Sequence, residues 1–150
     1  MQTLVLSLVL VAFPCAINSA STGLLRCYQC AYVNNASECN TLTTCQQDEL
    51  CGIEMSISTS GSPYTYTMGC YRKHPCIEVT RFRMENEQLF QQGHVVGKRN
   101  SLAACSVCCG SSLCNTGNCY ALTNKLRELW KAGLLDITTL AIKTTALQVN

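Results

Sequence analysis

The chain has little of what most enzymes and nucleic-acid binders need. Only 13% of its 150 residues are charged, with 11 basic against 9 acidic side chains. There is no basic run suited to a phosphate backbone and no acidic block, which excludes the electrostatic footprint of a nucleic-acid partner. Histidine is limited to His74 and His94, both among polar neighbours, and no nucleophile elbow or zinc-protease helix accompanies them. No cofactor fingerprint is present, so the reading is of a non-enzymatic chain with no cofactor and no metal. Long apolar runs are scarce too. The N-terminal run Leu4–Phe13 is too short to span a bilayer, and Pro14 ends it. Cysteine is what the chain has in excess, with 13 copies.

The two ends differ from the middle. Residues 1–20 read as a signal peptide: the apolar run is followed by the small residues Ser19, Ala20, Ser21 and Gly23, with the cut after Ala20 or as late as Gly23. Cys15 leaves with it. Twelve cysteines then remain between Cys27 and Cys119, an even count behind a leader. That pattern belongs to an oxidising compartment and a disulfide framework, and hence to a secreted, extracellular protein. About 90 residues are left for one small domain, whose core alone contributes little stability. Each bridge adds roughly 2–4 kcal/mol by restricting the unfolded chain. Residues 120–150 carry no cysteine and form a C-terminal tail. In it Leu126, Leu129, Trp130, Leu134, Ile137, Leu140 and Ala141 share one face at helical spacing, and Asn124 is placed to cap the start. The tail is predicted to be an amphipathic helix, with Leu135 out of pattern on its polar side. Two roles fit that face, docking on the cysteine-rich domain or contact with a membrane surface, and its few basic residues favour docking.

Between the cysteines the spacing defines three loops. The first, Cys30 to Cys39, carries the glycosylation sequon Asn35-Ala36-Ser37. In the second, Ile53, Met55 and Ile57 alternate with polar residues, as do Tyr64, Tyr66 and Met68 after Ser60-Gly61-Ser62-Pro63. Two period-2 runs around a Gly/Pro turn predict a β-hairpin. The third loop, Cys76 to Cys105, contains Arg81–Phe90, which reads as a short helix broken up beyond Gly93.

The motif Leu25-Arg26-Cys27-Tyr28-Gln29-Cys30 resembles the opening signature of the Ly6/uPAR family, and Cys108-Cys109-Gly110-Ser111-Ser112-Leu113-Cys114-Asn115 resembles its closing one. The likeness spans Leu24 to Asn115. It implies a small, disulfide-rich, all-β three-finger domain over residues 24–119, here with the helical tail appended. Among the roughly ten thousand connectivities open to twelve cysteines, the resemblance implies Cys27–Cys51, Cys30–Cys39, Cys45–Cys70, Cys76–Cys108 and Cys109–Cys114. It also implies that the Asn115 side chain hydrogen-bonds backbone at the base of the fingers. Three departures stand out. Ser112 occupies a usually acidic position, which puts one contact there in doubt. Cys105 and Cys119 are additional. They pair with each other, or Cys76 takes Cys105 and Cys108 takes Cys119. Finally, Asp136 and Lys143 interrupt the tail, which disfavours exchange for a lipid anchor. The stretches Cys70–Cys76 and Thr80–Glu87 are locally similar to complement-regulating members.

Family likeness implies a module that binds an extracellular protein, a membrane receptor or ion channel. The alternatives are a glycolipid-anchored surface regulator of complement or nicotinic-receptor type and a secreted toxin. Tyr64, Tyr66, Tyr71, Arg72 and Lys73 are the candidate partner-binding residues, because aromatics on a thin hairpin cannot all be buried and aromatics concentrate at hot spots. Cross-strand packing is the competing role for the tyrosines. Cys27-x-x-Cys30, as a redox motif or as half of a zinc site with Cys105-x-x-Cys108, is disfavoured by the absence of a βαβ frame and by the even count.

Overall fold

A computed structural model describes residues 23–57, 64–86 and 103–143. The expected leader at 1–20, the hairpin turn at 58–63, the loop 87–102 with His94, and the last residues 144–150 lie outside the described residues.

Period-2 sequence makes the central hairpin. Strand β4 (Glu49–Ile57) pairs antiparallel with β5 (Tyr64–Arg72) from Glu49 opposite Arg72 to Ile57 opposite Tyr64. The register puts Cys51, Ile53, Met55 and Ile57 on one face with Cys70, Met68, Tyr66 and Tyr64. On the outer side of β4 lies β6 (Ala103–Cys109). On the far side of β5 lies β2 (Cys30–Val33), so the sheet order is β2-β5-β4-β6. A second, two-stranded sheet pairs β1 (Arg26–Tyr28) with β3 (Leu42–Thr44), and a 3-10 turn at Ala36–Glu38 fills the connection. The described residues form a small, strand-dominated, disulfide-rich fold with two helices among them.

Six disulfides tie these elements together: Cys27–Cys51, Cys30–Cys39, Cys45–Cys70, Cys76–Cys108, Cys105–Cys119 and Cys109–Cys114, with Cα atoms 5.3–6.1 Å apart. They include the five pairs the resemblance implies, and the additional cysteines join each other. Asn115 is fully buried. Its Nδ2 donates to the carbonyls of Tyr28 (2.9 Å) and Gly52 (3.0 Å), and its Oδ1 accepts from Tyr28 N–H (3.1 Å). One side chain thus joins β1 to β4. Ser112 Oγ accepts from Arg26 N–H at 3.1 Å.

The third loop differs from expectation. Helix α1 spans Lys73–Glu85, starting eight residues before the predicted Arg81 and directly after β5. Pro75 disguises the start in sequence, yet proline is tolerated in a first helical turn, where its missing N–H has no intrahelical partner. Cys76, Thr80, Arg83 and Met84 form the buried stripe. That stripe covers β6, an edge strand. Thr80 Oγ1 accepts from Cys108 N–H (2.8 Å), and Arg83 Nη2 donates to Ala104 O (2.8 Å). The Tyr120 hydroxyl adds a bond to the same carbonyl at 3.2 Å. Two backbone groups on the outer edge, Cys108 N–H and Ala104 O, are therefore satisfied by side chains rather than open to another strand.

The tail also differs. Helix α2 spans Cys119–Lys131 and is capped by Asn118, whose Oδ1 accepts from Tyr120 N–H at 2.8 Å. Asn124, the expected cap, lies a turn inside and accepts from Arg127. The helix stops at Gly133 (φ 72°), with Gly133 N–H on Trp130 O and Leu134 N–H on Leu129 O. This Schellman arrangement needs a left-handed residue, and glycine adopts it without strain. The predicted single face to Ala141 is therefore cut in two. Leu135 lies on β7 (Leu135–Asp136), which pairs with β8 (Ala141–Ile142), and is 2% exposed. Its misfit to the helical wheel follows from its being strand.

Residues 119–143 share the core of the rest of the protein. Leu122, Leu126, Leu135 and Leu140 join Ile53, Met55, Val107 and the cystines in one buried cluster, with Trp130 partly buried against it. The short hairpin is clasped to the closing cysteine motif. Gly110 N–H donates to Leu140 O at 2.8 Å, and a Cβ at Gly110 would overlap the Thr139 carbonyl oxygen.

Candidate partner-binding face

The apolar face of the β4–β5 hairpin changes in burial along its length. Ile53 and Met68 are buried at the inner end. One pair outward, Met55 is buried and Tyr66 partly exposed. At the outer end Ile57 and Tyr64, directly opposite each other, are each 42% exposed. Val33 on β2 pairs with Tyr66 and widens this end of the sheet. The opposite face at the same level is polar: Ser56 with Thr65 and Glu54 with Thr67. The outer end of the hairpin thus has one apolar and one polar face, and the apolar one grows more exposed toward Ile57 and Tyr64.

The five predicted contact residues do not form one patch. Tyr64 and Tyr66 lie together on the apolar face. Tyr71 sits on the other face, because seven is an odd step along a strand, and about 23 Å away at strand rise. Its ring lies over Gly52, where a Cβ would come within 2.5 Å of it, so glycine is required there. Burial pushes the Tyr71 phenol up to about 12, with a smaller contribution from the Glu54 carboxylate. Arg72 follows on the face opposite Tyr71, and Lys73 begins α1, its N–H on Asp48 O at 2.7 Å. The expected basic-aromatic grouping is thus split by strand alternation. Lys73 instead borders an open cavity of about 410 Å³, together with Leu24, Gln46, Glu49 and Thr139. Among the described residues Arg83 makes a cation–π contact over Tyr120, 5.7 Å from the ring centroid.

Sequence reading overlooked two exposed residues. Ile57 was visible as part of a strand, but its pairing with Tyr64 depends on register. Tyr32, 80% exposed with φ 56°, gave no signal beyond its aromatic type. Asn35 is exposed and caps the 3-10 turn.

Cysteine chemistry is accounted for by the bridges. Cys27 and Cys30 bond to Cys51 and Cys39 rather than to each other, and Cys105 and Cys108 bond to Cys119 and Cys76. Sulfurs of Cys27, Cys45 and Cys51 lie close together, but all belong to cystines and offer no thiolate to a metal. His74 is exposed on α1. Among the described residues no helix is long and apolar enough to cross a membrane. The chain matches no protein-family profile, no curated protein and no solved structure.

Proposed function

We propose that the protein is a secreted, non-enzymatic three-finger module of Ly6/uPAR type that binds an extracellular protein, a membrane receptor or ion channel, through the outer end of the β4–β5 hairpin. One observation carries the reading. The apolar face runs outward from the core and ends on Ile57 and Tyr64, exposed side by side on a hairpin anchored by Cys45–Cys70 and Cys27–Cys51. A hairpin fixed by cystines loses little conformational freedom on binding, so its exposed area converts efficiently to affinity. Aromatic and apolar anchors at the centre of such a patch dominate binding energy. Six cystines support an oxidising, extracellular setting.

The test is binding of the labelled, oxidised protein to the surface of a panel of cells, beside Tyr64→Ala and Ile57→Ala. Saturable binding that both variants weaken at unchanged circular dichroism supports the reading. Binding equal to that of the parent places the contact elsewhere.

An anchored regulator is the second reading. A glycolipid signal is excised, and excision near Asn118 would take Leu135 and Leu140 out of the core and Cys119 out of its bridge to Cys105. The retained tail is therefore favoured, and intact-mass analysis of the secreted product decides between a chain ending at Asn150 and a shortened, lipid-bearing one.

A further inference from the structure

We infer that Asn35 carries an N-linked glycan whose first sugar packs on the ring of Tyr32. Two features of β2 have no explanation among the described residues. Between Cys30 opposite Met68 and Val33 opposite Tyr66 the strand gains one residue over its partner, a β-bulge. Tyr32 sits in that bulge with φ 56°. Glycine is the residue such a position favours, and a bulky aromatic there is an outlier. The ring obtained at that cost is 80% exposed, the most exposed large apolar side chain among the described residues. A strained backbone that displays an aromatic ring to solvent points to something outside the protein that covers the ring.

Three residues further on stands the sequon. Asn35 is exposed and extended (φ −135°, ψ 130°), and its Oδ1 accepts from Ser37 N–H at 3.0 Å to cap the turn. That cap leaves Nδ2 out of the hydrogen bond, so modification at Nδ2 preserves the local fold. The step itself is a group transfer. Nδ2 forms a bond to the anomeric carbon of an oligosaccharide carried on a polyprenyl diphosphate. The carbon–oxygen bond to the diphosphate breaks, Nδ2 loses one proton, and the polyprenyl diphosphate leaves. A sugar fixed at Asn35 presents a face of C–H groups, and an aromatic ring carries negative charge on its faces, so the two attract at contact while the sugar hydroxyls remain in water. Three residues separate Tyr32 from Asn35, the cap of the 3-10 turn Ala36–Glu38, so the ring stands within a sugar's reach along the chain.

The inference depends on passage through the secretory pathway, as the proposed function does, but on no partner. It also separates Tyr32, which the sugar covers, from the Ile57–Tyr64 pair of the proposed partner-binding face.

The full chain is expressed through a eukaryotic secretory pathway as the parent, Ser37→Ala, Tyr32→Gly, and the double variant. Glycine suits the positive φ, so the Tyr32 variant keeps the bulge. The parent should carry a glycan mass that Ser37→Ala lacks. It should melt about 4 °C above Ser37→Ala, and the Tyr32→Gly background should abolish that difference while Tyr32→Phe retains it. Failure of secretion would refute the extracellular reading itself. Secretion with Asn35 unmodified would overturn the glycan, and an undiminished increment in the Tyr32→Gly background would overturn the packing.

Discussion

Substituting Gly110 by alanine should detach the C-terminal hairpin from the rest of the protein. A Cβ there overlaps the Thr139 carbonyl oxygen and lies within 2.9 Å of the Leu140 carbonyl carbon, both backbone atoms that cannot rotate away. The β7–β8 turn must therefore withdraw. Withdrawal breaks the Gly110–Leu140 hydrogen bond, worth about 0.5–1.5 kcal/mol. It also exposes Leu140, now 1% exposed, whose burial contributes roughly 1.5–3 kcal/mol. The sum is a loss of about 2–4 kcal/mol, or a fall of roughly 10–20 °C in Tm for a domain of this size. Leu140→Ala alone should cost a similar amount. Because both changes undo the same docking, the double variant should lose much less than the sum, a coupling that a double-mutant cycle reads directly. Trp130, part of the same helix-and-hairpin unit, reports the event by a red shift in Gly110→Ala at temperatures where the parent is folded. A melting point unchanged in Gly110→Ala, or full additivity with Leu140→Ala, would refute the clasp.

Alkylation of the secreted protein without reduction should label no cysteine, and a non-reduced digest should yield a peptide joining Cys105 to Cys119; a Cys76–Cys105 peptide would reject that connectivity. Tyr64→Ala should weaken binding to the partner by roughly 1–2 kcal/mol with no change in circular dichroism. For Tyr71 the folded phenol titrates near 12 against an ordinary value of 10. Its contribution to stability is therefore complete below pH 10 and is lost as pH rises toward 12, where the unfolded chain ionises first. Tyr71→Phe should flatten that alkaline loss in denaturant titrations, and an unchanged slope would count against the buried phenol.

Local pattern determined a good deal here. Alternation over Ile53–Ile57 and Tyr64–Met68 marked the central hairpin, because a strand's side-chain period is short and needs no partner to be visible. An even number of cysteines marked a bridged fold, since oxidation depends on count and compartment. Pairing is different. Two cysteines bond only if their Cα atoms come to about 5–6 Å, so the pairing of Cys105 with Cys119, expected beside an open alternative through Cys76, was decided once β6 and the start of α2 lay side by side. The helix boundaries failed for related reasons. Helical spacing ran on through Gly133 in sequence, and only the surrounding backbone made Gly133 a cap and Pro75 a first-turn residue. Leu135 looked misplaced on a helical face and proved to be a buried strand residue, because Gly133 turns the chain before it. Tyr64 and Tyr66 were expected to serve beside Tyr71, Arg72 and Lys73 as partner contacts. Strand alternation and strand length separated them, and register, a property of two strands together, put Ile57 beside Tyr64 instead. Adjacency in sequence sets which residues share a strand; which of them share a surface is set by the pairing across it.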